Sequence, residues 1–281
     1  MTGLDAWVAA AEAAADVAGA VIRPFFRAPL DAAQKTDRSP VTIADRTAEQ
    51  AMRAVLAERF PGHGILGEEF GLDRPDAPLR WVLDPIDGTR AFITGRLVFG
   101  TLAALLRDGV PVLGVIDQPI TGERWVGVLG EPTRFRGPFG GRPGCRPCLD
   151  LGQAELSCTS PAMLDAKETP RWRRLARAVR RVSWGGDCYA YGLLALGQID
   201  LIAESEMKSW DWAALVPVVE GADGRVTDWE GRPLGPESGP RVLAVGDPVL
   251  LPEAAALLAD TVAGAGAERR QGETRTAGVL A

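Results

Sequence analysis

One histidine and four cysteines are all that a chain of 281 residues carries of either type. With His63 alone, multi-histidine zinc or iron sites and two-histidine phosphotransfer mechanisms are excluded, and a Ser-His-Asp triad would have a single candidate base. Four cysteines are too few for a disulfide scaffold at this length, so a reducing cytoplasm is the expected compartment. No run of 18 apolar residues occurs, so no transmembrane helix is expected, and Met1–Ala6 has no basic lead into an apolar stretch of the signal-peptide kind. Basic charge is also short. Lys and Arg number 31 against 37 Asp and Glu, a net charge of −6, which argues against a nucleic-acid partner. What is present is ordinary globular material, 46% hydrophobic and 24% charged. That composition excludes a disordered chain, and the length suits about two domains.

Hydrophobic periodicity predicts two helices first. Leu4, Trp7, Val8, Ala11, Ala14, Ala15, Ala18, Val21 and Ile22 share one face, with Pro24 kinking or ending the helix. Residues 34–41 read as a loop or short hairpin. A second helix, capped by Thr42 or Asp45, runs to about Arg59 and stops at Phe60-Pro61-Gly62. Apolar runs at 64–67, 80–83, 98–106, 110–116 and 124–128 then predict a largely antiparallel sheet with turns at Asp108-Gly109 and Thr121-Gly122. The Gly/Pro-dense stretch 137–148 divides this half, residues 1–140, from a second, 141–265. There, strands at 156–159, 182–184, 199–203 and 242–245 alternate with helices at 170–179, 189–196, 210–222 and 248–260, an α/β pattern. Residues 266–281 read as a frayed tail.

The chemistry concentrates at WVLDPIDGT, residues 81–89. An apolar strand delivers Asp84 and Asp87 into a tight turn, where Pro85 fixes φ and Gly88 permits close backbone approach. Two carboxylates at 4 Å repel by roughly 4 kcal/mol at an effective dielectric of about 20, so a proton or a cation must offset them. Oxygen donors favour Mg²⁺, Mn²⁺ or Ca²⁺ over zinc. The bland alternative is turn chemistry, in which such carboxylates only cap the backbone. GEE (67–69) also ends an apolar strand. WDWAA (210–214) places Asp211 at a helix start, where a cap is the ordinary reading.

Together, GEE, WVLDPIDGT and WDWAA in this order resemble the inositol monophosphatase superfamily of metal-dependent sugar and polyol phosphatases, over most of the chain. The resemblance implies a five-layered αβαβα sandwich and a phosphomonoesterase holding two or three Mg²⁺, with Mn²⁺ as an alternative. It implies that Glu68, Asp84 and the carbonyl of Ile86 hold one ion, and that Asp84, Asp87 and Asp211 hold a second. A third, weaker ion would sit near Glu68. Thr89 and Asp45 would orient the attacking water, and Gly88 and Thr89 would offer N–H groups to the phosphate. WGGDCYAYG (184–192) and GVIDQPITGERWVG (114–127) are similar to segments of the histidinol-phosphate phosphatase branch. That likeness implies L-histidinol phosphate as substrate, ahead of inositol phosphates, fructose bisphosphate or another sugar phosphate. Asp187 and Glu204 would then face the substrate, with Trp184 and Gly185 at the pocket edge. A homodimer is usual in the family. A haloacid-dehalogenase-like mechanism wants two aspartates separated by one residue, and Asp84 and Asp87 are separated by two. A non-catalytic protein retaining the scaffold is disfavoured by the full acidic set. Cys145-x-x-Cys148 lacks a second pair and reads as inert. His63 reads as structural, and the arginines from Arg171 to Arg181 as a solvated face.

Overall fold

The computed structural model describes residues 3–28, 33–34 and 40–260. The expected tail, 266–281, lies outside them. Helix α1 (Gly3–Ile22) ends in a 3-10 turn, Arg23–Phe25, with Pro24 in its first positions. Strands β1 (Ala33–Gln34) and β2 (Pro40–Val41) pair antiparallel. Helix α2 (Ile43–Arg59) starts from a capping box between Thr42 and Asp45. The small buried residues Ala10, Ala11, Ala14, Ala15 and Ala18 form the packed face of α1.

Strands β3 (Gly64–Gly67), β4 (Gly71–Asp73) and β5 (Leu79–Asp87) are followed by a short helix, α3 (Thr89–Ile93). Strands β6 (Gly100–Arg107), β7 (Val110–Gln118), β8 (Glu123–Val128) and β9 (Arg134–Arg136) complete a seven-stranded sheet. Its order is β4-β3-β5-β6-β7-β8-β9, and only β3 and β5 run parallel. Side chains alternate across it. Trp81, Leu83, Ala103, Leu105 and Val115 pack with α1 and α2. Val82, Leu102, Ala104, Ile116 and Trp125 pack on the opposite face. Both faces are buried, so these strands read as nearly continuous apolar runs.

The second sheet comprises β10 (Glu155–Cys158), β11 (Arg181–Trp184), β12 (Leu201–Glu204), β13 (Arg225–Thr227) and β14 (Val242–Val245), in the order β11-β10-β12-β14-β13. The first three strands are parallel, and β14 runs antiparallel to both β12 and β13. Five helices accompany it: α4 (Glu168–Ala178), α5 (Asp187–Ala195), α6 (Ser209–Trp212), α7 (Leu215–Glu220) and α8 (Leu251–Leu258). Helices α5–α7 share one apolar cluster with both sheets, while α4 and α8 cover the outer face of the second sheet. The layers are therefore αβαβα. No helix among the described residues is long and apolar enough to cross a membrane.

Three local differences from the sequence expectation have physical causes. The helix expected over 210–222 is two short ones, because Pro217 has no N–H for the Ala213 carbonyl. The three-residue strands β4 and β9 are too short to show a period, as is β13. The arginine face of α4 is solvated only in part: Arg173 and Arg177 are exposed as expected, but Arg171 and Arg174 are not free. Arg171 and Arg174 donate to the last carbonyls of α8, Leu257, Leu258 and Ala259, where cationic donors complement the helix C-terminus.

Between the two sheets, Gly114 of β7 and Gly127 of β8 lie directly under the backbone of α6–α7, and a Cβ at either would overlap the Ala214 or Pro217 carbonyl. These glycines let the helical layer rest on the sheet, which brings the Asp211 segment to the end of β5.

Candidate active site

Asp84 lies two residues beyond Val82 and so points to the same inner face of the sheet. Pairing between β5 and β6 then shifts register between Asp84 and Asp87, and this bulge turns the second carboxylate inward. Gly88, at φ 85°, ends the turn and caps α3. Asp84 is buried, and its Oδ1 accepts the Ile86 N–H at 3.0 Å. Asp87 Oδ2 accepts the Cys188 N–H at 2.6 Å, which ties the turn to the start of α5.

Asp211 joins them from α6. Its Oδ2 accepts the Lys208 N–H at 2.6 Å, so the capping role does exist. Even so, Asp84, Asp87 and Asp211 each bring a carboxylate oxygen within 4.8 Å of the others. At that range each ionised pair repels by roughly 3 kcal/mol at an effective dielectric of about 20. Burial first, then neighbouring carboxylates, raises every one of these groups. Asp84 is pushed well up, with Glu68, Asp87 and Asp211 adding to burial. Asp87 moves the same way, with Asp187 and Asp211 adding to burial. Asp211 reaches about 7 through burial and the charges of Glu68 and Glu204, against the opposing Lys208 N–H. An all-oxygen, mutually repelling set with Asp84 buried and Asp87 and Asp211 half-buried at the cavity wall fits a hard divalent cation.

Thr89 opens α3 beside this cluster. Its Oγ1 lies 3.3 Å from Asp45 Oδ1 and 3.1 Å from the Ile86 carbonyl. Asp45 Oδ2 accepts from the N–H and hydroxyl of Thr42, closing the capping box of α2. Burial raises the Asp45 carboxyl above its ordinary value.

A cavity of about 220 Å³ opens over these residues. Glu68, Asp87, Gly88, Thr89 and Asp211 line it together with Asp187 and Glu204. Glu204 ends β12 and accepts from the Thr159 N–H at 2.7 Å and the Tyr191 hydroxyl at 2.9 Å. Asp187 is the first residue of α5 and sits at φ 43°, a strained conformation for a residue with a side chain. The N–H groups at that helix start go to other side chains, that of Asp187 to Thr159 Oγ1 at 3.0 Å and that of Cys188 to Asp87 Oδ2, and not to the Asp187 carboxyl. The Asp187 carboxyl lies instead against Gly88, leaving no room for a Cβ there. Burial and Glu204 push it up to about 7, with Arg96 and Arg90 opposing.

This geometry has known counterparts. Residues 4–265 match the inositol monophosphatase family. The chain belongs to that family. Its relatives include a bifunctional phosphatase, IMPL2, chloroplastic, of Arabidopsis thaliana, 48% identical over 82% of this chain and 66% of that protein, so the chain spans about two thirds of the plant relative's length. The histidinol-phosphatase of Mycobacterium tuberculosis is 40% identical over 75% of this chain and 82% of its own. A solved inositol monophosphatase from Zymomonas mobilis superposes with a TM-score of 0.83 at 50% identity, covering 92% of this chain and 99% of that one. The chain is accordingly a phosphoric monoester hydrolase of a metal-dependent family, and the acidic cluster fits that dependence.

Within this inositol monophosphatase-family fold, the expected residues Glu68, Asp84, Ile86, Asp87, Gly88, Thr89, Asp45, Asp187, Glu204 and Asp211 lie in or around one site. Trp184 and Gly185 do not line the cavity. Trp184 stacks on Trp172 with ring centroids 4.7 Å apart, and the Gly185 carbonyl accepts from Arg96. Thr159, Tyr191 and Arg90 line the cavity and were not expected from the sequence. Thr159 was findable, since it follows β10 as Glu204 ends the neighbouring parallel strand β12, and ligands gather at such strand ends. The thiols of the Cys145-x-x-Cys148 pair are free. Burial and the surrounding aspartates push Cys145 up to about 12, so that thiol stays protonated and inert.

Proposed function

We propose that this enzyme hydrolyses L-histidinol phosphate to L-histidinol and phosphate. One observation carries the reading. The cavity that holds the acidic cluster continues onto a second carboxylate pair, Asp187 and Glu204. A phosphate ester with a cationic leaving group suits both ends, its phosphate at the cation-binding cluster and its ammonium or imidazolium at the carboxylates. A neutral polyol would offer that pair no charge of its own. The histidinol-phosphatases among the relatives support the same substrate.

In this reading Glu68, Asp84, the Ile86 carbonyl, Asp87 and Asp211 would hold the Mg²⁺ or Mn²⁺ ions. Bound divalent cations lower the pKa of a water and stabilise a leaving oxygen. Thr89 orients the attacking water through its hydroxyl, and Asp45 beside it accepts the proton. The N–H groups of Gly88 and Thr89 steady the phosphate. The N-terminal half, residues 1–140, supplies most of the cation ligands, and 141–265 supplies Asp211 and the substrate carboxylates. Four free cysteines support a reducing compartment such as the cytoplasm, and the usual state of the family supports a homodimer.

The Zymomonas neighbour and an inositol-1-monophosphatase of Mycolicibacterium smegmatis, 32% identical, favour a second reading, inositol phosphates cleaved by the same chemistry. Initial rates with L-histidinol phosphate, inositol 1-phosphate and fructose 1,6-bisphosphate under saturating Mg²⁺ separate the two. Histidinol phosphate should be preferred in kcat/KM. Faster cleavage of inositol phosphate would overturn the narrow assignment and leave the phosphatase class intact.

A further inference from the structure

Helix α2 carries two buried carboxylates, Asp45 and Glu49, one turn apart. At that spacing both lie on one face. Asp45 meets Thr89, and Glu49 meets the turn that carries Glu68. Glu49 is fully buried. Its Oε2 accepts the Glu69 N–H at 2.7 Å, and its Oε1 accepts the Phe70 N–H at 3.3 Å and Arg53 Nε at 2.7 Å. Arg53 also donates from Nη2 to the Gly71 carbonyl. On the other side of Glu68, Gly67 lies flat against the same carboxylate, where a Cβ would overlap it. Glu49 therefore grips the chain on both sides of Glu68 without itself lining the cavity.

Burying a carboxylate is unfavourable unless charge-assisted bonds surround it. For stability alone, an apolar side chain would serve as well. What the carboxylate adds is direction, since two backbone N–H groups and a guanidinium converge on it from fixed angles. We propose that Glu49 is a positioning residue for the phosphatase reaction. It sets the GEE turn so that Glu68 enters the acidic cluster, and through α2 it keeps Glu68 in register with Asp45 and Thr89. This rests on the reading of Glu68 as a cation ligand.

The test is calorimetric titration of the substrate-free protein with Mg²⁺, with thermal unfolding measured in parallel, for wild type, Glu49→Gln and Asp200→Asn. Asp200 is a matched control. It too is a buried carboxylate holding an arginine, Arg146, and a backbone N–H, that of Glu155, but it sits just before β12 and does not line the cavity. Glu49→Gln should weaken Mg²⁺ binding by about 10–100-fold, the usual effect of disturbing a group that orients a ligand. Excess Mg²⁺ should restore its turnover. Asp200→Asn should lower the unfolding temperature with Mg²⁺ affinity unchanged. Glu49→Gln with wild-type Mg²⁺ affinity overturns the proposal. Should that variant not fold, Glu49→Asp, which keeps the charge and shortens the reach, decides by the same reading: weakened Mg²⁺ binding supports it, unchanged binding overturns it. A wild-type protein that binds no Mg²⁺ overturns the cation reading itself, and this inference with it.

Discussion

Buried and half-buried aspartates occur in two settings in this molecule, with different partners. Outside the cavity they meet arginines. Arg146 closes on Asp200 through two nitrogens, with contacts of 2.7 and 2.5 Å, and Arg124 meets Asp117 at 2.6 Å. At the junction of the layers, the hydrogen bonds to Asp84, Asp87 and Asp211 come from the backbone N–H groups of Ile86, Cys188 and Lys208. One fold supplies counter-charge to the carboxylates away from the cavity and only backbone donors to those gathered at it. The second arrangement is unfavourable in the isolated chain and therefore marks a site made for a charged ligand.

The sharpest way to break this contrast is to exchange one member of each set. Asp84→Asn should lower kcat by about 10³-fold or more, since roughly 4 kcal/mol of charge stabilisation is at stake, while stabilising the metal-free protein by relieving repulsion. Asp200→Asn should do the reverse, with folding destabilised by about 2 kcal/mol and kcat/KM kept. Steady-state rates and denaturant midpoints of both variants check the pair. An active Asp84→Asn protein would end the distinction.

The pH dependence of the metal-free protein is the next effect in size. Asp187 and Asp211 rise from an ordinary 3.8 to about 7, so the folded chain binds their protons more tightly than the unfolded chain. The stability these two groups contribute is then fully present below pH 4, is lost as pH rises between about 4 and 7, and is gone above. A divalent cation should oppose the decline, because it binds the ionised carboxylates and stabilises the folded state by mass action. Unfolding temperatures across that window, with EDTA and with Mg²⁺, check the sign. A metal-free stability that rises with pH between 4 and 7 would contradict it.

The smallest effect concerns a residue that the sequence placed at the pocket edge. Trp184→Ala removes a half-exposed ring stacked on Trp172. It should cost about 0.5–1.5 kcal/mol of stability and change KM less than twofold. A large rise in KM would put Trp184 in contact with substrate after all.

Most of the site was legible because its carboxylates end apolar runs. Glu68 follows 64–67 and Asp84 follows 80–83, and a charged residue that closes a buried strand has few bland explanations. The layers were legible too, from the switch between strand-rich and alternating halves. Glu49 was not, because a glutamate four residues before an arginine on a helix reads as a solvated pair. Nothing local reveals that its helix face is buried against a turn twenty residues on. The break between α6 and α7 was visible in Pro217 but was overridden by the apolar period around it. Trp184 misled because its neighbours belong to the cavity, whereas alternation along β11 gives its side chain to Trp172.

The bare patches at Gly114 and Gly127 have a consequence for variation in this enzyme. Main chain rests on main chain there, so the seat of Asp211 does not depend on the size or rotamer of any intervening side chain. Apolar residues elsewhere in the middle layer can drift in volume without moving that side chain. A single methyl group at either glycine would lift the helix and shift the carboxylate, however well the remaining core was packed.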